Sequence, residues 1–404
     1  MPPYLEVELK IVLAYSGGLD TSVALRWLIE TYSADVIAFC ADIGQVEPLD
    51  EVSQRATETG ASAVRIESLA TRFLTQFAIP AMQMHARYEG KYLLAAPLSR
   101  PLIAQRLVEL AHELGADAVA HGATAKGNDQ VRFYASIAAL DPRLRVIAPV
   151  MEWEMKSRSE ELAYARRYGI RMQDGKESPY SIDTNLWGTS IECGALDKVE
   201  SAPPADAWRI TRSPVSAPES PIQVTISFES GVPVRVNGQH MSLPDVVSFL
   251  NKVGAQNGVG RIDIVENRIA GIKTRGIYEA PAATILMAAH EELESLVLDR
   301  ETLHHKQSLA SRYAELVYYG YWFSDLRRAL DAYSQVIQER VSGDVSFELF
   351  KGACVPISRT STNSRYDTAL ATYASNDSFN HAAGAGFSYI WSLPIRASMG
   401  PEIK

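Results

Sequence analysis

From residue 9 the chain alternates short apolar runs with amphipathic stretches. LKIVLAY at 9–15 is followed by VALRWLIETY at 23–32, then DVIAFCAD at 35–42, EVSQRATETG at 51–60 and AVRIES at 63–68. Runs of that length separated by helix-period segments predict a parallel sheet with helical crossovers. PLIAQRLVELAHELGADAVAHG at 101–122 repeats the unit: Pro101 marks a helix start, Gly115 its end, and DAVAH the next strand. The first part of the chain therefore reads as a doubly wound α/β layer.

The pattern changes after about residue 200. SAPPADAWRITRSPVSAPESPI at 201–222 is dense in Pro, Ser and Ala and reads as a connection. IQVTISFESGVPVRVNG at 222–238 predicts two strands around a Ser-Gly turn, and SLPDVVSFLNKVGAQNG at 242–258 a helix. YAELVYYGYWFSDLRRALDAYSQVIQERV at 313–341 reads as a helical aromatic stretch, and VSFELFKGACVPISR at 345–359 as a strand pair. The second part is α+β. There is no internal repeat and no low-complexity tract.

Composition narrows the class. With 47% hydrophobic and 22% charged residues, the 404-residue chain has the balance of a globular protein with a large core. Its formal charge of −9 argues against wide contact with a phosphate backbone, so no nucleic-acid partner is expected. Small anionic substrates need only a local cluster of donors. Cys40, Cys193 and Cys354 are far apart and form no CxxC, which suggests neither a zinc site nor a disulfide framework. No apolar run approaches the roughly 18 residues needed to span a bilayer, and MPPYLEVELK lacks a signal-peptide core. The expectation is a cytoplasmic protein with no membrane partner.

The chemistry begins at SGGLDTS, residues 16–22, where a strand runs into a helix starting near Thr21. Such a turn gathers free backbone N–H groups and a helix dipole, which together make an anion site. Glycine lets the backbone approach a phosphate and allows positive φ, and the hydroxyls of Ser16, Thr21 and Ser22 add donors. Neither GxxxxGK[ST] nor GxGxxG is present, so γ-phosphoryl transfer and dinucleotide binding are both disfavoured. SGGLDTS resembles instead the pyrophosphate loop of ATP pyrophosphatases, enzymes that cleave ATP between its α- and β-phosphates. Further along, HGATAKGNDQVRF at 121–133 packs Thr124, Lys126, Asn128, Asp129 and Arg132 at the carboxyl end of a predicted strand, where doubly wound sheets bind ligands.

AYSGGLDTS, ADIGQ at 41–45, YEGKYLL at 88–94, HGATAKGNDQVRF, PYSIDTNLWGTSIECG at 179–194 and GVGRIDIVENRIAGIKTRGIYEAP at 258–281 resemble, in order and spacing, the motifs of the argininosuccinate synthases. YAELVYYGYW at 313–322 extends the likeness, and AGFSYIWSLP at 385–394 resembles that family's closing strand. The resemblance implies a Rossmann-like, adenine nucleotide alpha-hydrolase-like sheet domain over 1–170. It further implies an α+β synthetase and multimerisation domain over 171–360, and a C-terminal helical oligomerisation arm over 361–404. It implies condensation of citrulline with aspartate, use of ATP and Mg²⁺, and a homotetramer.

By the same resemblance, ATP meets Ala14, Tyr15, Ser16, Gly17, Gly18, Leu19, Asp20, Thr21, Ser22, Ala41 and Gly122. Aspartate meets Thr124, Asn128 and Asp129. Citrulline meets Tyr92, Asn128, Arg132, Ser181, Ser190, Glu266 and Tyr278. Asp20, Asp129 and Arg132 stand nearest the chemistry: Asp20 either caps its helix or assists Mg²⁺, and Asp129 is the motif's candidate base. On residue type alone, Glu266 on an alternating strand is equally a solvated side chain, and Tyr92 and Tyr278 are equally core aromatics. The chain departs from the family at Ala96 and Pro97, where Ser or Thr is usual, at Ala125 in place of Gly, and at Tyr134 and Asn380 in place of acidic residues. Two readings of these changes stay open: drift within a working enzyme, or a paralogue that adenylates another ureido or amide acceptor.

Overall fold

A computed structural model describes residues 9–45, 47–124, 127–171 and 178–398. Five short strands, β1 (Lys10–Ala14), β2 (Asp35–Asp42), β3 (Ala63–Ser68), β4 (Ala118–His121) and β5 (Arg145–Ile147), form one parallel sheet in the order β3-β2-β1-β4-β5. Strand β1 is apolar on both faces because both are covered. Ile11 and Leu13 pack with Leu25, Leu28, Val52 and Ala56 of helices Leu19–Tyr32 and Leu49–Thr59. Val12 faces the opposite core, shared with Leu98 and Leu102 of helix Ala95–Leu114. The strand order reverses between β1 and β4, so their carboxyl ends open the crevice that such sheets use for ligands.

The rest of the chain up to Thr360 builds two antiparallel sheets. Strands β6 (Ser181–Asn185) and β7 (Gly188–Glu192) come first, then β8 (Ile222–Glu229), β9 (Val232–Val236) and β10 (Gln239–His240). Strands β11 (Arg261–Asn267), β12 (Lys273–Glu279), β13 (Gly343–Phe350) and β14 (Ala353–Thr360) follow. One sheet runs β11-β12-β7-β6 and the other β10-β9-β8-β13-β14. The connection at 201–222 is fastened by one side chain. The buried Glu279 carboxylate accepts from the backbone N–H groups of Arg209, Ile210 and Thr211 and from the Thr211 hydroxyl.

Three expectations need correction. Pro101 lies inside helix Ala95–Leu114, which starts from Leu94 in a left-handed conformation; burial of Ala95, Ala96 and Leu98 decides the start and Pro101 is tolerated within it. The aromatic run at 313–341 is two helices, Arg300–Tyr318 and Asp325–Gln338. The chain turns at Gly320, and the Ser324 hydroxyl accepts from the Arg327 N–H to start the second. AGFSYIWSLP is helical, within His381–Ser398, not a strand.

Residues up to Asn363 form one compact unit and Ser364–Lys404 another. Within the second, helix His381–Ser398 leaves Phe387, Tyr389, Ile390, Trp391 and Ile395 exposed. Within the first, a buried polar network sits between helices. Lys306 donates to Glu294 at 2.7 Å, Gln338 to the other Glu294 oxygen at 2.9 Å, and His290 lies between Gln338 at 2.7 Å and His85 at 2.9 Å. Lys306 balances the Glu294 charge, so this His–His–Glu cluster is closed by its own cation and is structural. Among the described residues no helix is long and apolar enough to cross a membrane.

Candidate active site

At the end of β1, the chain turns through Ser16, Gly17 and Gly18 into helix Leu19–Tyr32, which begins two residues before the expected Thr21. Gly17 takes φ +78°, a left-handed conformation that a side chain would strain. Gly18 is the N-cap in extended backbone, and no side chain caps this helix, leaving its first N–H groups for a ligand. The Ser16 and Thr21 hydroxyls lie 3.2 Å apart on the open side. The Ser22 hydroxyl does not join them: it is buried and pairs with Tyr15 at 2.9 Å, and Leu19 also packs inward. Ala14 ends β1, Ala41 lies near the end of β2, and Gly122 follows β4 so closely that a Cβ there would stand 2.9 Å from the Thr21 methyl.

Asp20 is in the first helical turn and makes no cap, which removes the capping role. Its carboxylate faces Glu161 of helix Arg158–Arg167; burial, and then the Asp20 charge, push the Glu161 carboxyl up to about 7. Two hard oxygen donors at the head of an uncapped helix are a set that fits Mg²⁺.

Segment 121–132 leads from this turn to a second group of residues. Thr124 is exposed and its carbonyl accepts from the Gly127 N–H at 3.1 Å; Ala125 and Lys126 lie outside the described residues. Asn128, Asp129 and Arg132 follow in the first turns of helix Asn128–Leu140. Arg100 donates to Asp129 at 2.8 Å and to Asp183 at 2.6 Å, and Arg132 donates to the other Asp129 oxygen at 2.8 Å. Burial would raise the Asp129 carboxyl, but the two guanidiniums overcome it and hold the group far below the usual carboxylate range. So firmly ionised a carboxylate is a poor proton acceptor, which weighs against Asp129 as the base.

The facing wall is the β11-β12-β7-β6 sheet. Its register pairs Tyr278 with Ser190 and Ser190 with Asp183, Glu192 with Ser181, and Glu266 with Thr274. Directly paired residues, and residues two apart on a strand, share a face. Ser181, Asp183, Ser190, Glu192, Glu266 and Tyr278 therefore all project to one side. Gly276 on the same face leaves room for Tyr278, because a Cβ there would lie 2.8 Å from its hydroxyl. Tyr92 stacks on Tyr278 at 3.9 Å, and its hydroxyl lies 3.4 Å from Ser190. Ser181 is exposed at the start of β6.

Tyr318 ties the two walls together. Its hydroxyl donates to Glu266 at 2.8 Å and accepts from Asn128 at 2.9 Å, while its carbonyl accepts from Arg132 Nε at 2.8 Å. The Arg132 guanidinium lies 4.7 Å from the Tyr318 ring centroid, a cation–π contact. Among the described residues, neither Nη2 of Arg132 nor Oε2 of Glu266, both buried, has a hydrogen-bond partner. Glu266 is 2% exposed, not solvated, and burial pushes its carboxyl up to about 7 against the pull of the Tyr318 hydrogen bond. One unsatisfied cationic donor and one unsatisfied carboxylate oxygen suit the two ends of a free amino acid.

Sequence reasoning missed Arg100, Glu161 and Tyr318, which the structure places among these residues. Tyr318 lay within a quoted motif, YAELVYYGYW, whereas Arg100 falls just before the helix start read at Pro101 and Glu161 lies in a stretch that carries no motif, so neither gave a local signal.

Residues 10–171 match the family description "Arginosuccinate synthase N-terminal HUP domain", and residues 180–398 match "Arginosuccinate synthase C-terminal domain". The chain is 61% identical to an argininosuccinate synthase of Rhodococcoides fascians, covering 96% of this chain and 98% of that protein. It is 50% identical to one of Oceanobacillus iheyensis, covering 98% and 95%. A solved U34-tRNA thiolase, NcsA from Methanococcus maripaludis, is similar over 43% of this chain and 60% of its own at 19% identity, with a TM-score of 0.27, too low to bear on the fold. With both halves matched and full-length relatives at this identity, the chain belongs to the argininosuccinate synthase family.

Proposed function

We propose that this protein condenses L-citrulline with L-aspartate, using ATP and releasing argininosuccinate, AMP and pyrophosphate. The observation that carries the reading is the pair of buried, unpartnered atoms, Arg132 Nη2 and Glu266 Oε2, placed at the face and the hydroxyl edge of Tyr318. They would take the carboxylate and ammonium of citrulline and fix its ureido end. Tyr92, Tyr278, Ser190 and Ser181 supply hydroxyls along the same wall.

Two nitrogens donate into the ureido carbonyl, so its carbon is a poor electrophile with no good leaving group. Attack by the ureido oxygen on the α-phosphorus of ATP converts that oxygen into part of an AMP leaving group. Pyrophosphate departs toward the N–H groups of the Ser16–Gly18 turn, whose dipoles are already oriented for the developing charge. Thr124, Asn128 and Asp129 hold aspartate so that its neutral amine meets the activated carbon, and alignment of this kind is worth roughly 7–11 kcal/mol. Asp129 acts as a fixed anion, leaving the proton of the amine to a phosphate oxygen of the substrate. Asp20 and Glu161 would hold Mg²⁺, which would neutralise phosphate charge.

We further propose a cytoplasmic homotetramer, supported by the exposed aromatic face of helix His381–Ser398, which suits burial against another copy of the chain.

A second reading is favoured by the helix that carries Ala96 and Pro97. The Ala96 N–H donates to the Tyr92 hydroxyl at 3.3 Å, and neither side chain offers a donor. Aspartate would then be joined to a different ureido or amide acceptor. Incubation with ATP, aspartate and each of a panel of ureido compounds separates the two. Stoichiometric AMP and pyrophosphate formed preferentially with citrulline supports the first reading. Preference for another acceptor supports the second, and accumulation of ADP overturns both.

A further inference from the structure

Arg55, on helix Leu49–Thr59, is 5% exposed and lies directly behind the phosphate turn. Its Nη1 donates to the carbonyl of Gly17. Among the described residues no carboxylate forms an ion pair with it, and its Nε has no partner at all. A buried guanidinium without a counter-anion is costly unless something negative arrives.

The bond to Gly17 has a geometric consequence. In a trans peptide the carbonyl and the following N–H point in opposite directions. With the Gly17 oxygen drawn toward Arg55, the Gly18 N–H is aimed the other way, out of the turn at the head of the helix. There it makes only a long contact with Ser16 Oγ at 3.4 Å. Val52 and Arg55 together occupy the space beside Gly17, where a Cβ would lie 3.1 Å from each. Arg55 is therefore placed to orient the peptide and to put a positive charge beneath it.

We propose that Arg55 is a positioning residue for the pyrophosphate end of the nucleotide: it sets the Gly17–Gly18 peptide so that the Gly18 N–H faces the β- and γ-phosphates, and those phosphates supply its missing counter-charge. The inference rests on the reading of Ser16–Ser22 as the phosphate turn. It assigns Arg55 no contact with the reacting atoms, and none with citrulline or aspartate.

Calorimetric titration of the full-length protein with inorganic pyrophosphate, and separately with AMP, tests this on wild type, Arg55→Met and Arg55→Lys. The expected result for Arg55→Met is pyrophosphate affinity lowered at least about 10-fold, AMP affinity changed less than about 2-fold, and unchanged KM for citrulline and aspartate. Arg55→Lys keeps the charge without the planar fork and should recover part of the loss. Should Arg55→Met fail to fold, the ratio of pyrophosphate to AMP affinity in Arg55→Lys carries the test, and a drop of about 3-fold in that ratio is expected. Parallel loss of both ligands, or loss of neither, overturns the role of Arg55 alone. If wild type itself does not bind pyrophosphate, or binds it equally after Gly18→Val, the reading of the turn fails and this inference with it.

Discussion

The Tyr318 hydroxyl sits 2.8 Å from Glu266 and 2.9 Å from Asn128, so one phenol links helix Asn128–Leu140 to strand β11. Removing that oxygen leaves the ring under Arg132 but deprives a buried carboxylate of its donor. Hydrogen bonds to charged groups contribute about 1.5–3 kcal/mol. Tyr318→Phe should therefore raise KM for the acceptor about 10- to 100-fold and leave KM for ATP within about 2-fold. Steady-state kinetics with each substrate varied in turn checks this, and equal effects on both would contradict the assignment.

Gly17 and Gly18 should respond differently to alanine. Gly17 has φ +78° and no free space beside it, so Gly17→Ala is expected to cost about 1–2 kcal/mol of stability. Gly18 is extended, and a Cβ there meets only Ser16 Oγ at 3.4 Å. Gly18→Ala should keep its melting temperature within about 2 °C while losing at least about 10-fold in ATP–pyrophosphate exchange, because the added methyl stands where a phosphate approaches. Scanning calorimetry beside the exchange assay distinguishes the two.

That contrast shows what the sequence carried. Strand β1 and its helical crossovers were legible because a strand buried on both faces is continuously apolar and an amphipathic helix keeps its own period. Glu266 was not, because the Tyr318 hydroxyl that donates to it lies fifty-two positions away, and alternation along β11 is equally consistent with a solvated carboxylate. Arg55 and Arg100 are hidden for a related reason: an arginine on an amphipathic helix looks the same whether it faces water or a loop from another strand. At 385–394 the strand expectation came from the family resemblance alone, whereas Phe387, Ile390, Trp391 and Pro394 recur at three and four residues, the spacing of the helix observed.

Glu279 holds the 201–222 connection through three backbone N–H groups and a hydroxyl. Glutamine at this position turns an NH₂ group toward donors that need an acceptor. Glu279→Gln should lower unfolding free energy by about 3 kcal/mol, seen as a lower urea midpoint, with substrate KM values little changed.

Lys306 carries the only positive charge bonded directly to the fully buried Glu294 among the described residues. Lys306→Met conserves volume but strands the carboxylate, and removing one partner of a buried pair costs about 3–5 kcal/mol. The double substitution Lys306→Met with Glu294→Gln should recover part of that loss in a denaturant titration. If the single change costs nothing, the network is not held by its charges.

Acceptor binding is expected to depend on pH through Glu266. Burial raises its carboxyl to about 7, the Glu192 charge adds to that, and the Tyr318 and Tyr278 hydroxyls and Arg132 act the other way. Because the native value lies above the ordinary 4.5, the native state binds the extra proton between those limits. The empty protein therefore loses stability as pH rises from about 4.5 to about 7, and loses nothing further above it. Binding has the opposite slope. An α-ammonium group pairs with the ionised carboxylate, so citrulline affinity should rise about tenfold per pH unit below 7 and level off above it, a range in which the ligand's own ammonium and carboxylate stay charged. Glu266→Gln should bind citrulline more weakly at pH 8 and show no such slope. Equilibrium titrations between pH 5.5 and 8.5 measure both curves, and a wild-type affinity that is flat across this interval would mean that Glu266 does not receive the ammonium.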